Sequence, residues 1–357
     1  MYAVIMAGGV GTRFWPRSRK RRPKQLLPIA GPASMLRLTI DRLRPLLEPD
    51  AILVVTNADQ VQAIRAELPE LPPENVLVEP CGRNTAPCIG LAAAVLQARG
   101  AADETMLVLP ADHVVRHAEA FRAALQASDA WLRQRDVLLT LGIRPQRPET
   151  GYGYIRAGAE TLEVDGQRFQ PVERFVEKPA LEVARGFVAD GQHLWNSGMF
   201  AWRVRRIRDE LERFVPELAA GLAGLEAAYG TSQWQRRLNE AYDDFPNVSI
   251  DYGVLEKASA VWVAPVDLGW SDVGSWASLA ELRAADANGN VVTEGCVALE
   301  AHGNIVEAGE RTVVLLGVKD LIVVDAGDAI LVCPRDRAQQ VGMIPAELQR
   351  RGKESLT

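Results

Sequence analysis

Short unbroken apolar runs alternate along the first half of the chain with stretches in which apolar residues recur every three or four positions. The runs are YAVIM at 2–6, AILVVTN at 51–57, NVLVEP at 75–80, TMLVLPAD at 105–112 and VLLTLGI at 137–143. Each is too short for a buried helix and has no polar alternation, so each predicts a strand covered on both faces. The intervening stretches predict helices. SMLRLTIDRLRPLL opens on Ser34 as a cap, and QVQAIRAEL follows the second run. TAPCIGLAAAVLQARG has Thr85 as cap, Pro87 in the first turn and Gly100 as terminator. The alternation predicts an α/β fold, a Rossmann-like, mostly parallel sheet with helices on both faces. Ligands of such sheets bind outside the carboxyl ends of the strands. The glycines after the first run and the Pro-Ala-Asp turn after the fourth both lie at that edge.

The pattern changes after residue 150. GYGYIRAG and QPVERFVEKP predict strands, 180–190 a helix, and WNSGMFAWRV leads into one long helix from about Arg206. From about 286 the chain consists of short apolar runs separated by Gly, Asn and Asp, which predicts a β-rich domain. The expected division is 1–285 and 286–357, with no low-complexity linker and hence close packing of the two parts.

With 357 residues, 48% of them hydrophobic and 24% charged, the chain can bury a large core. A net charge of -6 argues against nucleic acid as a partner. Cys81, Cys88, Cys296 and Cys333 form no Cys-x-x-Cys pair and no zinc spacing with the histidines, which suits a reducing compartment. The first residues lack the pattern of a signal peptide, and no apolar stretch is long enough for a bilayer. The expected location is the cytoplasm, away from any membrane.

Against this acidic background, Arg13, Arg17, Arg19, Lys20, Arg21, Arg22 and Lys24 follow Gly8-Gly9-Val10-Gly11-Thr12 without one intervening acid. The turn is not a P-loop, because no Gly-Lys-Ser/Thr closes it. It is not a dinucleotide fingerprint either, because Phe14 stands at the third glycine position. This excludes a Rossmann oxidoreductase. Pro16, Pro23 and Pro28 preclude a continuous basic helix. What remains is a loop whose backbone N–H groups cradle phosphates while nearby cations neutralise them.

GGVGTRFWPRSRKRRPKQ, followed in order by RNTAP, LPADH, GYGYI, FVEKP, WNSGMF, SIDYGVLEK and DLGWSDVGSW, resembles the sugar-nucleotide pyrophosphorylases along most of the chain. Within that family it is most similar to the guanylyltransferases that act on mannose 1-phosphate. The resemblance implies a GT-A-like nucleotidyltransferase domain followed by a left-handed β-helix-like domain that serves as a homodimer contact. It implies GTP and mannose 1-phosphate as substrates, GDP-mannose and pyrophosphate as products, and Mg²⁺ as cofactor. Larger members carry a further isomerase domain, and here the transferase part alone is expected. Thymidylyltransferases are less similar, since RFWPRSR stands where their Leu-x-Pro-Leu-Thr would be. A non-catalytic sensor would lack Lys24, Asp112 or Asp272, all of which are present.

In such a reaction the sugar phosphate is already ionised, so positioning and charge neutralisation suffice. The expected catalytic residues are Arg13, Lys24, Asp112 and Asp272, with the two aspartates holding Mg²⁺. Nucleotide binding is expected at Ala7, Gly8, Gly9, Gly11, Thr12, Arg13, Lys24, Arg83, Asn84 and Thr85. The sugar phosphate is expected at Gly151, Tyr152, Gly153, Glu177, Lys178 and Asn196. His113 is expected to be structural, since Mg²⁺ prefers oxygen. Trp195, Trp202, Trp270 and Trp276 belong mostly to the core.

Overall fold

A computed structural model describes residues 1–357. Strand β1 (Tyr2–Met6) buries Ala3 and Ile5 on one face of the sheet and Val4 on the other. Successive strand side chains alternate in direction, so an all-apolar run is stable only between two covering layers. β1 lies parallel to β2 (Ile52–Asn57), which pairs with β3 (Val76–Glu79), and on its other side parallel to β4 (Thr105–Pro110). Helices α1 (Met35–Leu43) and α2 (Val61–Glu67) cover the Ile5 face, and α3 (Thr85–Ala98) covers the Val4 face. The next helix, α4 (Ala118–Leu132), returns to the Ile5 face. Ser34 caps α1 as expected, accepting from Arg37 N at 3.0 Å. At α3 the cap is Asn84 rather than Thr85. Asn84 sits at φ 71° and accepts from Thr85 N at 2.9 Å, while the Thr85 hydroxyl accepts from Ile250 N.

The sheet continues through β5 (Leu138–Ile143), β6 (Gly153–Ala157), β7 (Leu162–Val164), β8 (Gln167–Glu177), β9 (His193–Arg203) and β10 (Val261–Val266). The main path of this ten-stranded sheet is β3-β2-β1-β4-β9-β5-β10-β8-β6. Parallel pairing holds across β3-β2-β1-β4 and between β5 and β10. β9 runs antiparallel between β4 and β5, and the β6–β8 region is antiparallel as well. The sheet is therefore mixed. Its parallel part corresponds to the unbroken apolar runs. Among the later strands β6, β7 and β8 follow one another through short turns, and such antiparallel neighbours need no crossover helix.

The long helix expected from Arg206 is two helices, α6 (Val204–Phe214) and α7 (Pro216–Ala228), after α5 (Leu181–Asp190). Pro216 has no N–H and disfavours helical backbone at the residue before it; Val215 sits at φ -140°, ψ 60°. Both helices, with α8 (Trp234–Asp244), bury α3 from the outside. A Cβ at Gly90 of α3 would lie 2.7 Å from Leu222 Cδ1, so the close approach of α3 and α7 requires glycine there.

Beyond residue 290 the chain winds in coils. β11 (Val291–Val292), β13 (Ile305–Glu307) and β15 (Leu321–Asp325) stack in parallel, as do β12 (Val297–Leu299) and β14 (Val314–Leu316). β16 (Ile330–Pro334) closes the first stack antiparallel to β15. Asn290 and Asn304 form a ladder inside the turns: Asn304 Nδ2 donates to Asn290 Oδ1 at 2.9 Å, and each amide also donates to a backbone carbonyl. The coils pack against the first domain through one shared core that includes Phe14, Trp15, Val273, Trp276, Ile305, Ile322 and Val341. No helix of the chain is long and apolar enough to cross a membrane.

Candidate active site

The glycine turn leaves β1 at the carboxyl edge of the sheet. The N–H groups of Gly8, Gly9, Val10 and Gly11 make no backbone hydrogen bond, so they are available to an anion. The carbonyls of the turn are held from behind. Gln25 Nε2 donates to Ala7 O at 2.8 Å and Gly9 O at 2.9 Å, and Asn57 Nδ2 donates to Gly8 O at 3.0 Å. Gly11 is at φ 69°, and a Cβ there would stand 2.3 Å from Lys24 Cβ. The third glycine thus lets the return strand of the loop close onto the turn.

That closure delivers Lys24 to the centre of the site. The side chain is buried, and Nζ donates to Asp112 Oδ2 at 2.9 Å and to Asp272 O at 2.7 Å. Asp112 follows β4, and an antiparallel bridge between Val114 and Ser271 draws the segment of Asp272 beside it. Burial tends to raise the Asp112 carboxyl, but Lys24 and His113 outweigh it and hold the group below its usual range. Burial lowers the His113 imidazole, which accepts from Trp270 Nε1 at Nδ1, 3.2 Å away, consistent with a structural role. The Tyr152 hydroxyl donates to Asp272 Oδ1, and burial followed by the Asp272 charge raises the Tyr152 phenol.

Arg13 lies over the other side of the turn, where Nη1 donates to Gln339 Oε1 at 2.8 Å. A Cβ at Gly342 would lie 3.2 Å from Arg13 Cγ and 3.3 Å from Thr12 Oγ1, so the 335–343 segment packs against both residues, which stay exposed. The second domain therefore flanks the turn. The rest of the basic block diverges from the site. Arg17 pairs with Glu307 at 3.3 Å and Arg19 with Asp328 at 3.0 Å, both in the coiled domain. Of the block, only Arg13 and Lys24 stay with the turn.

Behind Gly8 stands a residue the sequence motifs did not single out. Glu79 ends β3 at the same edge. Its Oε2 lies 3.2 Å from where a Gly8 Cβ would be, and its Oε1 accepts from Tyr242 OH at 3.0 Å. Burial pushes its carboxyl up to about 7, against a smaller lowering by Tyr242. An acid finishing an apolar strand at the ligand edge was the available signal, the one that Asp112 also carries. Nearby, Arg83 has its guanidinium on the carbonyls of Tyr242 and Asp243, each at 3.0 Å. The side chains of Arg83, Asn84 and Thr85 are thus all engaged in holding the loop.

The expected sugar residues gather at the ends of β6, β8 and β9. Glu177 Oε1 pairs with Lys178 Nζ at 3.0 Å, and Lys178 N donates to Tyr152 O at 3.2 Å. A Cβ at Gly153 would lie 2.4 Å from Glu177 Oε2, so glycine makes room for that carboxylate. Gly151 N donates to Glu149 Oε1 at 3.2 Å, setting the turn before Tyr152. Asn196 accepts from Thr140 Oγ1 and donates to Asp251 Oδ1 at 2.9 Å. Burial, then the Glu177 charge, pushes Asp251 up to about 6. Asp251 lies within SIDYGVLEK but was not among the expected site residues. Tyr152 packs edge-on against Trp195 and Trp270, at 5.2 and 5.4 Å between centroids, and so links this cluster to Asp272. Trp202 and Trp276 are core, as expected.

The segments that carry the turn, the lysine and the two aspartates all lie within one family match. The nucleotidyl transferase family model matches residues 2–289. The chain belongs to the nucleotidyl transferase family. A second model, the MannoseP isomerase/GMP-like beta-helix domain, matches residues 294–348, which include the coils from β12 to β16. The xanthan biosynthesis protein XanB of Xanthomonas campestris pv. campestris (strain B100) is 41% identical over 99% of the chain and 74% of its own length. A mannose-1-phosphate guanylyltransferase of Escherichia coli (strain K12) is 40% identical over the same shares. A crystal structure from Thermus thermophilus, described as a mannose-1-phosphate geranyltransferase, superposes with a TM-score of 0.88. It is 38% identical and covers 98% of this chain and 99% of its own. In this nucleotidyl transferase the glycine turn follows β1, the charged centre follows β4 and Glu79 ends β3, all along one sheet edge.

Proposed function

We propose that the chain transfers GMP from GTP to α-D-mannose 1-phosphate, releasing pyrophosphate and GDP-mannose. The observation that carries the reading is the placement of Lys24 between Asp112 and Asp272 beside the free N–H groups of the glycine turn. The guanylyltransferase name of the Escherichia coli relative supports the choice of base and sugar. The triphosphate lies along the turn, with Arg13 and Lys24 facing the charge that grows on the departing pyrophosphate. A mannose phosphate held by Glu177, Lys178 and Asn196 brings an ionised oxygen to the α-phosphorus, and no general base is needed. The guanine enters beside Gly8, where Glu79 Oε2 meets it.

The site suits a divalent hard cation. The chain brings no group of three or more His, Cys, Asp or Glu ligands together; Lys24 Nζ meets the Asp112 carboxylate and the Asp272 backbone carbonyl, while the Asp272 carboxylate accepts from Tyr152. Mg²⁺ commonly takes one or two carboxylates and completes its shell with phosphate oxygens and water. Asp112 and Asp272 would hold it, and bound there it would lower the repulsion between the two phosphates. Pyrophosphate release from GTP and mannose 1-phosphate, compared across other nucleoside triphosphates and hexose phosphates, tests the reading. Turnover equal with TTP and glucose 1-phosphate sinks it. In the same assay Asp272→Asn retains the acceptor for Tyr152 but loses charge. The Mg²⁺ concentration for half-maximal rate is expected to rise about tenfold or more. An unchanged Mg²⁺ dependence removes Asp272 from the metal site.

The reading includes a cytoplasmic homodimer joined through the coiled domain. Val297 pairs in register with Val314 and Leu299 with Leu316, and all four point outward, Leu316 with 68% of its surface exposed. An in-register apolar ladder facing water is a contact surface rather than a resting surface. Sedimentation at micromolar concentration should show a dimer, and Leu316→Glu should shift it to monomer. A wild-type monomer contradicts the assembly.

A further inference from the structure

Away from the candidate active site, the basic loop and the coiled domain line an open cavity of about 740 Å³. Its wall includes Arg17, Arg19, Arg22 and Arg311, with few hydrophobic residues, and it shares no residue with the groups assigned above to catalysis or substrate. The wall carries three acids: Asp325 and Asp328 are already engaged, and Glu310 makes no ion pair or side-chain hydrogen bond. Asp325 is saturated: it accepts from Arg311 Nε at 2.7 Å, from Arg311 Nη2 and from Gly327 N at 2.8 Å. Asp328 is engaged by Arg19 Nη2 at 3.0 Å. Arg17 turns to Glu307 and to Ala308 O.

What remains are donors without acceptors. Arg19 Nη1 is buried and has no hydrogen-bond partner. The Arg22 side chain makes no ion pair or hydrogen bond, and Arg311 uses only Nε and Nη2. A buried N–H left unpaired is costly, so Arg19 Nη1 favours an occupant rich in acceptors, and the exposed Arg22 and Arg311 guanidinium groups add charge beside it. Guanidinium groups from both domains match the oxygens of a phosphate, which can accept from several forks at once. Arg19 and Arg22 are joined by a backbone bridge, Arg19 N to Arg22 O at 2.9 Å and Arg22 N to Arg19 O at 3.1 Å. An anion held by both would grip the tip of the loop that runs from Phe14 to Lys24.

We propose that this interdomain cavity is a second anion site, which takes a small phosphorylated molecule and clamps the basic loop against the coiled domain. The site is separate from the proposed transfer reaction and stands or falls without it. Isothermal titration of the full-length protein with inorganic phosphate is the probe, run on wild type, Arg22→Glu, Arg22→Ala and Lys24→Ala. One saturable phosphate event should persist in Lys24→Ala and weaken at least tenfold in both Arg22 variants. Amide exchange over residues 17–24 should slow with phosphate in wild type and stay unchanged in Arg22→Glu. Arg22 has no partner to lose, so the Arg22 variants should melt with wild type in the absence of phosphate. The proposal is overturned if wild type shows no saturable binding. It is equally overturned if the binding disappears in Lys24→Ala and survives in the Arg22 variants, which places the anion in the catalytic groove.

Discussion

Lys24→Ala is expected to lower kcat about 10²–10³-fold, the usual consequence of removing a preorganised donor that faces developing charge. Two of the three ammonium N–H donors are already directed, to Asp112 Oδ2 at 2.9 Å and Asp272 O at 2.7 Å. The third is free for a phosphate oxygen. Since the charge on the leaving pyrophosphate exists only as the bond breaks, the loss should fall on kcat more than on the KM for mannose 1-phosphate. The structure adds a second consequence. With the lysine gone, Asp112 loses its ion-pair partner in a half-buried setting, which should lower stability by about 1–3 kcal/mol. Lys24→Ala combined with Asp112→Asn should recover part of that stability and none of the rate. Steady-state kinetics and thermal melting of the two single variants and the double variant separate these effects. A Lys24→Ala enzyme with wild-type kcat and only a raised KM reduces Lys24 to a binding residue.

Glu79→Gln should reduce kcat/KM for GTP by about 5- to 150-fold while making the free protein more stable at neutral pH. A carboxylate can accept from guanine N1–H and N2–H₂ together, and a good bidentate pair of this kind is worth about 1–3 kcal/mol. Glutamine that keeps its oxygen toward Tyr242 would turn its amide N–H₂ against those donors. The stability change has the opposite sign. The Glu79 carboxyl stands at about 7 in the fold, against an ordinary value of 4.5, because burial disfavours its charged form. Between those values the unfolded chain ionises first, so stability falls as pH rises from about 4.5 to about 7 and stays reduced above. The full difference corresponds to about 3 kcal/mol, an upper figure. The neighbouring titratable groups, Tyr242 and Cys88, are both raised well above their ordinary values and stay neutral through this range. The apparent KM for GTP should therefore fall as pH rises toward 7 in wild type and show no such trend in Glu79→Gln. Melting curves across pH and a GTP against ITP comparison check both halves. A variant that loses stability and leaves guanine preference untouched makes Glu79 a structural residue.

The parallel part of the sheet was legible because a strand buried on both faces needs an unbroken apolar run, and β1, β2, β3 and β4 each have one. The later strands were harder to order. β9 carries apolar residues like the others, yet it enters antiparallel between β4 and β5, a choice made by pairing across the sheet rather than by its own pattern. The break at Pro216 was local and could have been read, since proline cannot continue a helix.

The site divides in the same way. Glycines with free N–H groups at a strand end, Lys24 and the two aspartates were evident from residue type and order, because phosphate chemistry restricts which residues can serve. Glu79 and Asp251 were not, since an acid acquires its meaning from what buries it. Glu79 needs Tyr242 from α8, and Asp251 needs Asn196 and Glu177 from other strands. The basic block shows the limit most plainly. Its residues are alike in charge; motif order singled out Lys24, but the chain alone did not say where Arg17 and Arg19 would go. Tertiary packing sends Lys24 inward against Gly11 and turns Arg17 and Arg19 toward Glu307 and Asp328 of the coiled domain. Residue order determines which chemistry is at hand and which segments are buried, because those depend on side-chain type and local period. Which cation meets which carboxylate depends on distances between segments hundreds of residues apart, and only the folded chain sets those.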